Sequence, residues 1–316
     1  QKNKESVCFL GLGGGGGRIV ASLAACEEAA EVTLAAADTD ARSLEELEGV
    51  KKLPIGEEWT HNEGCGGDAV LGERAAGACS PLLRGLIEPA RLLTVVVGLG
   101  GGAGGGSAGV VGQLAQEVKV PTIFLATLPF AFEGNWRAQA AEKTLVPLRE
   151  LADGVIAIPN DLLFTVLNAD TLAVKAFSLA DTVLAEGLAG LARLSLAKGL
   201  IPADFPTFRT VLKTRPATSR LGVGWGKGEE RWRDALDSLL ESPLIGGAEV
   251  LQKADAAVIS ILAGNDVSMG EIESCLNGLQ RYFANDIRLV VGAYTSADTD
   301  RFQITALLCE YEAGGD

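Results

Sequence analysis

The residues best placed to do chemistry are glycines. Gly11-Leu-Gly-Gly-Gly-Gly-Gly17 and Gly98-Leu-Gly-Gly-Gly-Ala-Gly-Gly-Gly106 are two glycine-rich runs of different design. Each follows an apolar run, residues 6–10 and 92–97, and each precedes a helix-like stretch, residues 18–29 and 110–118. A strand that runs through glycine into a helix start aims backbone N–H groups at phosphate oxygens. One such loop is common; two in one chain suggest a polyphosphate gripped from two sides. A rival chemistry is hydride transfer. Gly11-x-Gly13-x-x-Gly16 fits the dinucleotide fingerprint, and Asp38 lies at a suitable distance to meet a ribose hydroxyl. The second glycine run and the lack of a suitable histidine weigh against that nicotinamide-dependent reading. His61 is the single histidine; it reads as a polar loop residue, and a zinc site or histidine triad has little to build on.

These loops need elements to position them. The first half alternates strands (7–12, 32–36, 93–97, 122–126, 154–158) with helices (69–78, 136–152), a rhythm that implies a parallel sheet with helices on both faces. Ligands on such sheets bind at the carboxyl ends of the strands. Both glycine runs, the segment Asp38-Thr-Asp40 and residues 129–134 open on that edge. A long helix is expected over 171–198, buried on more than one side. Strands at 221–225, 256–262, 289–294 and 302–308 with helices at 231–241 and 269–283 suggest a smaller mixed α/β lobe. The expected division is 1–170, 171–200 and 201–316.

Composition narrows the class. The 316 residues carry a formal charge of −14 and are 47% hydrophobic. A globular protein is expected, and no basic patch suggests nucleic acid. No apolar run reaches the roughly 18–20 residues of a membrane span, and no secretory leader is recognisable. The six cysteines show no C-x-x-C spacing. They read as buried free thiols in a reducing cytoplasm.

The order of motifs resembles the tubulin/FtsZ family over nearly the whole chain. The two glycine runs are followed by Phe130-Ala-Phe-Glu-Gly134, Ile158-Pro-Asn-Asp161, Ala176-Phe177 through Asp181, Gly199-Leu-Ile201 with Asp204-Phe205, and Glu241-Ser-Pro-Leu244. The resemblance implies a Rossmann-like GTPase domain, a central helix and a C-terminal activation domain. It implies GTP or GDP as ligand. Phosphates would meet Gly13, Gly14, Gly15, Gly16, Gly66, Gly67, Gly101, Gly102, Ala103, Gly104, Gly105 and Gly106. Glu133 and Arg137 would serve the ribose and phosphate region, Asn160 and Asp181 the guanine edge, and Phe177 the base face. A carboxylate that accepts from N1–H and the 2-amino group selects guanine, because adenine lacks that donor pair. On a surface-facing loop, Gly104→Val is expected to abolish binding without unfolding the chain.

Departures from the family pattern set the expected mechanism. In the family an Asn-x-Asp-x-x-Asp loop enters the next subunit's site and polarises the attacking water. Here the stretch is Pro202-Ala-Asp204-Phe-Pro-Thr207. Asp204 remains as the catalytic carboxylate, Thr207 replaces the second, and Pro202 stands at the Asn position. A neutral hydroxyl cannot serve as a carboxylate base. Ala103 and Gly105 replace two threonines, which weakens the case for Mg²⁺; no metal is held directly by protein, and Ser107 compensates only in part. Arg18 replaces an Asn and is expected to meet a phosphate, Asp38, Asp40 or solvent. The expected function is guanine-nucleotide-coupled head-to-tail self-assembly, or assembly with a related filament subunit, with weak or absent hydrolysis. The alternative is a non-assembling pseudo-GTPase scaffold or nucleotide sensor.

Overall fold

The computed structural model describes residues 6–165, 172–196, 199–213 and 218–311. The chain divides into two units. The first is built on residues to Phe164 with the helical stretch to Ala185; the second runs from Glu186 onward.

The first unit holds six parallel strands in the order β3-β2-β1-β4-β5-β6. They are β1 (Ser6–Leu12), β2 (Val32–Asp38), β3 (Lys51–Pro54), β4 (Ala90–Gly98), β5 (Thr122–Leu128) and β6 (Gly154–Pro159). The central strands are nearly continuous apolar runs because both faces are covered. Leu10 sits between Ala35 and Val95 in register, and all three are fully buried. Strand β3 was not expected. Its sequence, Lys51-Lys-Leu-Pro54, buries only Leu53. Two lysines and a proline guard an edge rather than advertise a strand.

The glycine runs are not loops for most of their length. One helix covers Gly13–Ser22 and another Gly102–Glu117, so both begin well before the apolar periodicity suggests. Close packing explains why. A Cβ on Gly16 would lie 2.1 Å from the Val96 carbonyl oxygen, and one on Gly106 would lie 2.2 Å from that of Ala69. Only glycine lets these backbones approach so closely.

The second unit has a four-stranded sheet in the order β7-β10-β8-β9: β7 (Thr218–Gly226), β8 (Ala256–Gly264), β9 (Arg288–Ser296) and β10 (Phe302–Glu310). Strand β10 is antiparallel to β7 and β8, and β8 is parallel to β9. Helices Arg231–Glu241 and Met269–Gln280 pack Ala235, Leu239, Ile272 and Cys275 against Ile259, Ile261 and Ile304. The long helix runs Ala173–Leu196; its expected ends at 171 and 198, and the domain boundary at 170/171, lie outside the described residues. Cys8, Cys275 and Cys309 are buried free thiols, each pushed up to about 12 by burial. No helix among the described residues is long and apolar enough to cross a membrane.

Arg231 locks the second unit. Its side chain is 7% exposed, and its Nε and Nη2 donate to the two oxygens of Glu271 at 2.8 and 3.3 Å. Nη1 donates to Asp266 at 3.0 Å and to the Thr299 carbonyl. Glu271 also closes a capping box with Ser268 at the start of helix Met269–Gln280. The Arg231 hydrogen bond lowers Glu271 from 4.5 to about 2. A carboxyl depressed on folding stabilises above its unfolded value, and that stability is lost as pH falls through the folded one. The melting temperature is therefore expected to fall between about pH 4.5 and 2, with a shallower fall in Glu271→Gln. Arg231→Met leaves a part-buried carboxylate unpaired and is expected to cost about 2–4 kcal/mol in urea unfolding.

Candidate functional site

Four strands of the first unit end side by side and hand the chain to the site. Strand β1 delivers the helix at Gly13, β4 delivers Gly101 and the helix at Gly102, β5 delivers Pro129 to Glu133, and β6 delivers Asn160. The strand order reverses between β1 and β4, the switch point where such sheets open a crevice.

The two glycine helices start against each other: a Cβ on Gly13 would lie 3.1 Å from the amide nitrogen of Gly104. Neither start carries a side-chain cap or an acidic residue in its first turn. Elsewhere Asp40, Asp68 and Ser268 each cap a helix with their side chains. The glycine helices thus present unsatisfied N–H groups and the positive ends of two dipoles in one place, which suits an anion. Gly15 and Gly101 have open space where a Cβ would stand, and Gly14 meets only Asp38 and Ser43 at 3.9 Å.

A cavity of about 440 Å³ adjoins these starts. It brings together Gly15, Arg18, Gly101, Glu133, Arg137, Asn160, Phe177 and Asp181 of the expected site residues. Thr127, Pro129, Phe130 and Phe132 complete much of its wall. Phe177 is 42% exposed, too open for a core aromatic, and meets Phe130 edge-on at 6.0 Å. Phe130 in turn stacks on Phe132 at 4.8 Å. Glu133 pairs with Arg137 one turn on and accepts the Phe130 N–H at 2.9 Å. Asp161 accepts the Ala131 N–H at 3.1 Å and so ties this turn to the end of β6. Asp161 received no role from the sequence; its motif neighbour Asn160 was the only signal.

Arg18 pairs with neither Asp38 nor Asp40, and its side chain is about half exposed to solvent. Its Nε donates to Asp181 Oδ2 at 3.1 Å, a link between residues 163 positions apart that no local pattern announces. Burial raises the Asp181 carboxyl above its usual range, and Arg18 pulls it partly back. Asp38 instead accepts the N–H groups of Thr39 and Asp40 and is raised chiefly by burial.

Other expected residues lie off the cavity wall. Gly16, Gly102, Gly104 and Gly106 are buried, and a Cβ on Gly104 would lie 3.0–3.1 Å from Gly98, Leu12 and Val97 atoms. The expectation that Gly104 is surface-facing is therefore corrected. Gly13, Gly105 and Ala103 belong to the same helix starts without lining the cavity. Gly66 and Gly67 take positive φ (55° and 89°) in the turn before helix Ala69–Ala78. Gly66 has open space where a Cβ would stand, and a Cβ on Gly67 would lie 3.3 Å from the Trp136 ring. Ser107 is buried, does not line the cavity, and its hydroxyl has no partner among the described residues. Asp204 and Thr207 belong to the second unit, where Thr207 donates its hydroxyl to the Asp204 carboxylate at the start of helix Phe205–Lys213. Among the described residues no three Asp, Glu, His or Cys side chains gather to hold a metal.

Comparison with known proteins agrees with this architecture. Residues 6–168 match the Tubulin/FtsZ family GTPase domain, and residues 217–310 match the FtsZ family C-terminal domain. The cell division protein FtsZ of Coxiella burnetii (strain RSA 493 / Nine Mile phase I) is 31% identical over 95% of this chain and 77% of its own length. An FtsZ dimer from M. jannaschii, solved empty, superposes with a TM-score of 0.88 at 27% identity, covering 98% of this chain and 89% of that one. A GTPγS-bound protofilament of CetZ2 from Haloferax volcanii shares the fold at a TM-score of 0.77 and 22% identity, covering 98% and 95%. The nicotinamide-dependent reading is set aside on these matches.

Proposed function

The chain belongs to the tubulin/FtsZ family, and from that premise we propose that it binds GTP and GDP in the 440 Å³ cavity, assembles head to tail, and hydrolyses GTP slowly. The observation that carries the binding reading is the pair of uncapped helix starts at Gly13 and Gly102. They suit a polyphosphate, while Phe177, Asn160 and Asp181 on the same cavity suit a base. The diphosphate and γ-phosphate would meet the open positions at Gly14, Gly15 and Gly101 and the turn at Gly66. Gly16, Gly102, Gly104 and Gly106 would hold the helix starts in place by packing. Mg²⁺ would travel with the nucleotide, bound less firmly where Ala103 and Gly105 supply no hydroxyl.

Assembly is supported by the relatives solved as a dimer and as a protofilament. Head-to-tail contacts are heterologous and extend into filaments when the rotation does not close. Slow turnover is supported by Thr207 and Pro202 in the activating stretch. Sedimentation with and without GTP tests assembly; a chain that binds nucleotide and never pellets would be a scaffold or sensor instead.

Base recognition has a sharper test. Asp181→Ala removes the acceptor for N1–H and the 2-amino group. GDP affinity is expected to fall about ten- to a hundredfold, with ADP affinity little changed. Titration of the nucleotide-free chain with both ligands measures this. Equal affinities of the unmodified chain for GDP and ADP would refute the guanine reading.

A further inference from the structure

Arg18 is the residue in this cavity without a task. Its side chain is 52% exposed, while that of its partner Asp181 is 13% exposed. The pair uses Nε and Oδ2 only; the two Nη groups and Asp181 Oδ1 make no other hydrogen bond or ion pair among the described residues. Asp181 follows Phe177 by four residues on helix Ala173–Leu196, so both lie on one face. The open edge of the pair thus sets guanidinium donors beside a carboxylate acceptor, next to an exposed aromatic ring.

Resting on the guanine-nucleotide reading above, we propose that Arg18 is a specificity-determining residue that donates to guanine O6 while Asp181 accepts from N1–H and the 2-amino group. Guanine presents an acceptor and two donors in a row along that edge, the complement of an Arg–Asp pair. Adenine presents an amino group at position 6 and a bare N1, so a cation and an anion would each face the wrong group. Such a mismatch leaves the largely buried Asp181 carboxylate facing a bare acceptor, and hydrogen-bonding sites reject analogues that leave their buried polar groups unpaired. Arg18 also opposes the upward shift that burial imposes on the Asp181 carboxyl.

Two analogues separate the two contacts. 6-Thioguanosine diphosphate keeps both donors and replaces O6 by a weak sulfur acceptor; inosine diphosphate keeps O6 and loses the 2-amino group. Calorimetric titration of the unmodified chain, Arg18→Met and Arg18→Lys would read the ratios. The unmodified chain is expected to favour GDP over the thio analogue about five- to tenfold. Arg18→Met should bring that ratio near one and leave the GDP-to-IDP ratio unchanged. Arg18→Lys, similar in bulk to Met but cationic, should keep an intermediate ratio. Arg18→Met that retains the full thio discrimination, or that weakens all three nucleotides equally, would overturn the assignment. Failure of the unmodified chain to prefer GDP over ADP would instead overturn the guanine reading beneath it.

Discussion

The double substitution Pro202→Asn and Thr207→Asp is expected to raise GTP turnover about a hundredfold or more, and only under conditions where copies assemble. The structure adds a reason beyond the missing carboxylate. Thr207 donates its hydroxyl to Asp204, and the Asp204 carbonyl accepts the Phe208 N–H at 2.9 Å. Asp204 is therefore engaged in starting its own helix, with one carboxylate oxygen held locally. An aspartate at 207 cannot make that bond; it repels Asp204 and frees it, while itself sitting favourably near a helix N-terminus. Asparagine at 202 restores the side-chain amide and a backbone N–H that proline lacks. Phosphate release at several protein concentrations measures the gain, and Asp204→Ala should erase it. Brisk, concentration-dependent hydrolysis by the unmodified chain would defeat this account. A double variant that assembles yet gains nothing would move the defect to Ala103 and Gly105.

Two valines placed three residues apart should fail in opposite ways. At Gly101 no atom lies within 4 Å of a Cβ, the residue lines the cavity, and it begins the helix Gly102–Glu117. Gly101→Val should fold with a stability loss of at most about 1 kcal/mol, and lose GDP affinity at least about a hundredfold through steric block of the bare N–H groups. Gly104→Val should instead overpack against Gly98, Leu12 and Val97 and lose about 1–3 kcal/mol. Urea midpoints beside nucleotide titrations distinguish the two. Full affinity in a folded Gly101→Val chain would remove this cavity as the phosphate site.

Most of the strand framework was legible because buried parallel strands are written as apolar runs, and β1, β2, β4, β5 and β6 begin within a few residues of their expected positions. Strand β3 was not, since an edge carries lysine and proline where a centre carries valine. The glycines were legible as a phosphate motif and misread in form. A run of glycine signals a loop by local propensity, yet Gly16, Gly102 and Gly106 are helical because neighbouring backbones press on them. Propensity yields to tertiary packing here. The contact between Arg18 and Asp181 was illegible for another reason: it joins the first helix to the long one, and only the assembled fold brings them together.

The same glycines have a mechanical meaning. A Cβ on Gly72 would lie 2.3 Å from the Gly102 carbonyl oxygen, and one on Gly102 would lie 2.8 Å from the amide nitrogen of Asp68. The turn that ends at Gly67 and the start of the Gly102 helix therefore touch main chain to main chain. Side chains between two elements absorb small shifts by changing rotamer. Here Gly102 faces only main chain and the Cβ of Cys65, 2.7 Å from where its own Cβ would stand, so no rotamer change can take up slack. A displacement at the Gly102 helix start is therefore expected to carry with it the turn at Gly66 and Gly67 and the helix Ala69–Ala78. On that expectation the glycine pair would act as a rigid coupling, where a larger residue would act as a spring.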